Sequence, residues 1–276
     1  MAASALMNVM LGAARKAGRS LARDFGEVEQ LQVSLKGPAN FVSAADHRAE
    51  EILFAELTRG RPGYGLLMEE RGVVEGADRT HRWIVDPLDG TTNFLHGIPL
   101  FAISIALERD GELVAGMIFN PISQEFFTAE RGKGAFLNDR RLRVAARTEL
   151  SDCVLGTGIP HAGRPEHELF LKELAVAMAA SAGVRRCGAA ALDLAWTAAG
   201  RFDGFWERNL RAWDIAAGIV ILREAGGYVS DATGRDDMLK TGSVVAGNEM
   251  IHRKLLKLLK TAGAEPEVAS PRSAAS

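Results

Sequence analysis

Two cysteines and two tyrosines in 276 residues are few, aromatic side chains make up only 7%, and neither sign of charge prevails. Each shortage excludes something. Cys153 and Cys187 make no disulfide framework and their spacing is no zinc motif, so they read as small apolar residues in a reducing compartment. A net charge of −2 gives no reason to expect nucleic acid as a general partner. No apolar run is long enough to span a bilayer. The N-terminus lacks a basic segment ahead of its apolar stretch, which Arg15 and Lys16 interrupt. It reads as an amphipathic helix and not a signal peptide, and a cytoplasmic location follows as the default. His47, His81, His96, His161, His167 and His252 show no ligand spacing.

What the chain does have is a dense stretch from Trp83 to His96, WIVDPLDGTTNFLH. Its apolar, β-branched start predicts a buried strand, which Pro87 should stop because it cannot donate to a ladder. Asp86 and Asp89 follow, with the Leu88 carbonyl between them. Gly90 permits a tight turn, and Thr91 is a good N-cap for a helix. Hard divalent cations want clustered oxygens, and phosphate wants a helix N-terminus. By itself Asp-Pro-x-Asp-Gly is an ordinary turn; the remainder of the chain decides.

Helical spacing covers residues 3–25, and Leu31 to Lys36 alternate as a strand. A second helix is expected over Ala44–Leu57, with Ser43 as N-cap. Gly37-Pro38 breaks the strand, and Lys36 and Asp46, which flank this turn, read on sequence alone as a solvated lysine and a first-turn acid. Gly65–Met68 should be a short strand ending in Glu69-Glu70, of which one acid can share a site with Asp86; Glu69 is the choice. Residues 71–82 read as a surface loop or hairpin. Strands follow over Ala102–Leu107, Leu113–Phe119 and Glu125–Ala129, with a hairpin at Asp110-Gly111 and a last strand over Leu142–Ala145. Arg140, Arg141, Arg143 and Arg147 read as a charged edge.

From Ser151 strands alternate with helices, which predicts an α/β second half behind an α+β first half. Helices are expected from Pro165 to Ser181, over Ala189–Ala199, over Trp213–Ala225 and after Asn248. The division is residues 1–147, residues 148–262, and a disordered tail from 263 to 276. Asp214 at a helix start is by itself most often a capping acid, and Glu207 ends a strand just upstream.

The pieces together resemble the inositol monophosphatase family. Residues 83–96 resemble its first signature, WDIAAG at 213–218 running to Gly226-Gly227 its second, and Glu69-Glu70 sits at its metal-binding acid. The likeness runs from about residue 5 to about residue 260. RRCGAAALDLA at 185–195 is closest to the bacterial SuhB-type members. The resemblance implies a layered α-β-α-β-α sandwich of the inositol monophosphatase and fructose-1,6-bisphosphatase type. It implies a phosphoric monoester hydrolase acting on a small phosphorylated polyol, inositol monophosphate first, with two or three magnesium ions and sensitivity to lithium. Other substrates within the same chemistry are fructose 1,6-bisphosphate, histidinol phosphate, nucleotide 3′-phosphates and NADP. A homodimer is implied, and an accessory role at RNA polymerase is the rival reading. The Ala-rich helix at 189–199 suggests subunit contacts.

Residue by residue, the resemblance implies that Glu69, Asp86, the Leu88 carbonyl, Asp89 and Asp214 bind magnesium. Glu69, Asp86 and Thr91 would be catalytic, Thr91 helping to hold the attacking water. Gly90 and Thr91 would offer amides to phosphate, and Gly188, Ala189, Glu207 and Asp214 would meet the substrate. Asp46 and Lys36 would support the site from a loop. Asn40 and Ser43 depart from the family pattern, and neither is a ligand. The four acids sum to four negative charges when ionised, so two divalent cations cancel them and a phosphate dianion needs a third cation or the helix dipole. Two of these carboxylates in contact repel by about 4 kcal/mol at an effective dielectric near 20.

Overall fold

In the computed structural model, described for residues 3–27, 33–37 and 40–263 and for the side chains of residues 3–27 and 43–262, five layers stack on one another. The first holds helices α1 (Ala5–Phe25) and α2 (Ala44–Gly60). α1 turns Met10, Ala14, Ala17 and Leu21 inward. Ser43 caps α2 in a capping box with Asp46, as its position predicted. In chain order the hairpin β1 (Val33–Gly37) and β2 (Asn40–Ser43) connects them. Lys36 and Asn40 are on these strands, and their side chains lie outside the described residues, as do residues 264–276 of the expected tail.

The second layer is an eight-stranded sheet. It contains β3 (Tyr64–Met68), β4 (Gly72–Val74), β5 (Asp78–Asp89), β6 (Ala102–Arg109), β7 (Glu112–Asn120), β8 (Glu125–Glu130), β9 (Gly134–Leu137) and β10 (Arg140–Arg141). Its order is β10-β9-β8-β7-β6-β5-β3-β4, antiparallel except for the parallel pair β3–β5. Side chains alternate across it. Trp83, Val85, Ile103, Ile105 and Met117 face α1 and α2. Ile84, Ala102, Ala106 and Ile118 face the opposite layer.

The third layer is α5 (Ala190–Ala198) and α6 (Ala212–Glu224). Gly218 lets them meet closely, since a Cβ there would stand 2.6 Å from Leu194 Cβ. The fourth is a five-stranded mixed sheet of β11 (Val154–Thr157), β12 (Gly183–Arg185), β13 (Gly204–Glu207), β14 (Tyr228–Ser230) and β15 (Val244–Gly247), ordered β12-β11-β13-β15-β14. The fifth is α4 (His167–Ala180) and α8 (Glu249–Gly263), whose core includes Leu155, Ala177, Trp206 and Leu255. The layered α-β-α-β-α sandwich is therefore present.

Four local expectations change. Pro87 does not end β5; the strand runs on to Asp89 through a bulge, because Asp86 pairs with Ser104 and Asp89 with Ala102. A bulge is where a strand tolerates proline. Leu142–Ala145 form no strand; Val144 instead donates its amide to the Ala225 carbonyl after α6. The short α7 (Met238–Thr241) carries no long periodic signal and goes unpredicted. The Ala-rich α5 is buried within the chain, between α6 and the sheets, so small side chains there serve internal packing.

Candidate active site

The bulge that absorbs Pro87 aims the chain. Asp86 is 2% exposed, and its Oδ1 accepts from the Leu88 amide at 2.8 Å, which fixes the loop at its base. Gly90 takes φ 91° and acts as N-cap, so Thr91 is the first residue of the five-residue α3 (Thr91–Leu95) and not its cap. The geometry favours Gly because an L side chain strains at that φ. Asp89 reaches across to the third layer, where its Oδ2 accepts from the Ala191 amide at 2.7 Å. Asp89 thus satisfies an orphan amide of α5, whose own N-cap, Ala189, has no side chain able to do so. Asn93 ties the same regions, donating to the Leu100 and Cys187 carbonyls at 2.7 and 2.8 Å. Asp214 is the N3 residue of α6 and accepts from the Arg211 amide at 2.7 Å, rather than being the N-cap.

Glu69, Asp86, Leu88, Asp89, Gly90, Thr91, Gly188, Glu207 and Asp214 line one cavity of about 180 Å³. Ala189 is buried behind it, and Ala190 takes the lining position. Asp46 stands beneath, fully buried, and the Thr91 hydroxyl lies 3.1 Å from both Asp46 Oδ1 and the Leu88 carbonyl. Among the described residues no three His, Cys, Asp or Glu side chains are drawn together into a finished metal cage. The backbone bonds of Asp86, Asp89 and Asp214 each engage one carboxylate oxygen and leave the other outside those bonds. Oxygen donors of this kind fit a hard divalent cation.

The buried acids also perturb one another. Burial raises the pKa of Asp86 well above the usual range, and Glu69, Asp89 and Asp214 add repulsion. Burial also raises Asp89, with Asp214 the leading charge beside it. Asp214 is pushed up to about 7, by burial first. Glu207 reaches about 8, again through burial first, with Asp193 and Asp214 adding to it. Such values mark a place that favours protons or cations over bare carboxylates.

Sequence reading missed several neighbours. Arg186 lines the cavity with nothing in its spacing to announce it. Asp193 is fully buried beside the Cys187 thiol and the Arg186 guanidinium, and burial lifts it to about 7. Glu173, 1% exposed, receives Arg208 at 2.6 and 3.0 Å in the cavity wall. Glu50 is 4% exposed and accepts the Glu70 amide at 2.9 Å. Glu50 alone had a signal, since it lies one helical turn after Asp46 on the same face.

The model of the inositol monophosphatase family matches residues 3–264. The chain belongs to that family. An inositol-1-monophosphatase of Mesorhizobium japonicum is 68% identical over 94% of this chain and 98% of its own length. A protein of Pseudomonas aeruginosa named Nus factor SuhB is 42% identical over 92% of this chain and 96% of its own. The crystal structure of the extragenic suppressor protein suhB from Bartonella henselae superposes with a TM-score of 0.91 at 61% identity, covering 93% and 99% of the two chains. As a member of this family, of the SuhB type, the chain is a phosphoric monoester hydrolase. The family is metal-dependent, which agrees with a cavity lined by oxygen donors.

Proposed function

We propose that the protein hydrolyses inositol monophosphate to inositol and phosphate with magnesium. The observation that carries this is the convergence of Glu69, Asp86, Asp89, Asp214 and the Leu88 carbonyl on one cavity, beside the start of α3. These five would hold the cations. When bound, a pair of divalent cations lowers the pKa of water and neutralises charge on the phosphate and leaving oxygens. The chain's own residues do the rest. Thr91, kept by Asp46 and the Leu88 carbonyl at the cavity edge, orients the attacking water together with Glu69. The amides of Gly90 and Thr91 meet phosphate oxygens. With a five-residue helix, the individual N–H groups matter more than a summed dipole.

Charge at the other end selects the leaving group. There the lining includes Glu166, Glu173 and Glu207 beside Arg164, Arg186 and Arg208, a balance of hydrogen-bond acceptors and donors. A neutral polyol fits this balance, with Glu207 and the backbone near Gly188 and Ala189 receiving its hydroxyls. Fructose 1,6-bisphosphate and NADP bring a second anion, which would have to compete with Glu166, Glu173 and Glu207 for these arginines. Phosphate release from a panel of phosphomonoesters should be fastest with inositol monophosphate and should need magnesium. Equal rates in a chelator, or preference for a bisphosphate, would overturn the reading.

A second reading, partner binding as an accessory factor of RNA polymerase, is favoured by the relative named Nus factor SuhB. Asp89→Asn separates the two: a cellular phenotype lost with it supports catalysis, and one retained supports binding. The same proposal makes the protein a cytoplasmic homodimer with a unit boundary near residue 148. No helix among the described residues is long and apolar enough to cross a membrane.

A further inference from the structure

β11 and β13 run parallel, and their register pairs Thr157 with Trp206. Thr157 Oγ1 also donates to the Trp206 carbonyl at 2.9 Å, so the two strands end locked side by side. The next residues, Gly158 and Glu207, therefore emerge as neighbours at the cavity wall. A Cβ placed on Gly158 would lie far inside van der Waals contact of the Glu207 carboxylate, and its three nearest atoms are Oε1, Cδ and Oε2 of that side chain. The space above Gly158 is the seat of the Glu207 carboxylate. The Gly158 backbone does not take a left-handed φ, so strain does not demand glycine there.

We infer that Gly158 is a positioning residue that sets specificity. By carrying no side chain it lets Glu207 face the leaving group, so the residue type at 158 decides between hydroxyl-rich and hydroxyl-poor phosphomonoesters. This rests on the proposal that Glu207 receives substrate hydroxyls. The displaced group is the far end of a flexible side chain, so an added methyl moves Glu207 and spares the fold. Steric exclusion of one rotamer costs little in the native state, while a misplaced acceptor costs a hydrogen bond to substrate.

The test compares the parent enzyme with Gly158→Ala, Glu207→Ala and the double variant, in magnesium buffer. It measures kcat and KM for inositol monophosphate and for p-nitrophenyl phosphate, whose leaving group has no hydroxyl beyond the bridging oxygen. Gly158→Ala is expected to melt within about 2 °C of the parent and to lower the selectivity ratio of kcat/KM about tenfold, mainly through KM. The double variant should be no less selective than Glu207→Ala, because both changes remove the same contact. If Glu207→Ala lowers the ratio and Gly158→Ala leaves it within twofold, the inference is wrong and the role of Glu207 stands. If Glu207→Ala itself leaves the ratio unmoved, the role of Glu207 falls and the inference with it. A double variant a further tenfold less selective also overturns it, since Gly158 would then act apart from Glu207.

Discussion

Asp89 holds two posts that a sequence cannot show together. Its Oδ2 caps α5 through the Ala191 amide, and its charge sits against Asp214 in the acid cluster. Asparagine keeps an acceptor for that amide and removes the charge. Asp89→Asn should therefore lose at least about 100-fold in kcat, and in a chelator it should melt no lower than the parent, since a buried repulsive charge has gone. A thermal scan with an activity assay checks both; a chelated variant melting well below the parent would show that the charge stabilises the fold. Thr91→Ala makes the complementary case. Its hydroxyl has one hydrogen and two acceptors at 3.1 Å, the buried Asp46 and the Leu88 carbonyl, and Asp46 keeps both of its Ser43 bonds without it. Its removal should lower kcat by about 10²- to 10⁴-fold with little change in Tm. A kcat within threefold of the parent would remove Thr91 from the chemistry.

At the scale of elements, α2 acts as a strut. Asp46 in its first turn supports Thr91, and Glu50 one turn later holds the Glu70 amide next to Glu69. Glu50→Ala should cost about 1–3 kcal/mol in denaturant melts by removing the acceptor of a partly buried amide, and Glu50→Gln, which keeps an acceptor, should cost less. Equal losses in both would assign the effect to charge instead. The strut was half visible: the Ser43 cap and the Asp46 position follow from residue type, but the partner of Glu50 lies across the fold. The same divide recurs elsewhere. Asp110-Gly111 was readable as a hairpin because both residues tolerate positive φ, here 51° and 80°. The Pro87 bulge was not, because only the pairing of β5 with β6 shows that two residues stand opposite one. The acids of the candidate site carried their signal in short motifs. Arg186 and Asp193 fall inside the 185–195 stretch without any sign there of their place in the site, and Gly158 carried no signal, since what they do depends on which strand or helix end lies beside them.

For the whole molecule, the acid cluster makes stability a function of pH and of cations. Burial raises Asp86, Asp89, Asp214 and Glu207 in the folded state, the last two to about 7 and about 8. A carboxyl with a raised folded pKa binds protons more tightly folded than unfolded. Its burden is absent below the unfolded pKa of about 4 and grows as pH climbs through the folded pKa. In a chelator the protein should thus melt higher near pH 5 than near pH 8, and millimolar magnesium should restore the loss at pH 8. A flat melting profile from pH 5 to 8 would contradict this. That Glu69, Asp86, Asp89 and Asp214 jointly hold hard cations is the proposal on which the chemistry rests. Anomalous diffraction from crystals grown with manganese, a carboxylate-binding stand-in for magnesium, tests it most directly. At least two manganese peaks are expected in this cavity, each within coordination distance of oxygens of these residues; an ordered crystal with no peak there would overturn the assignment.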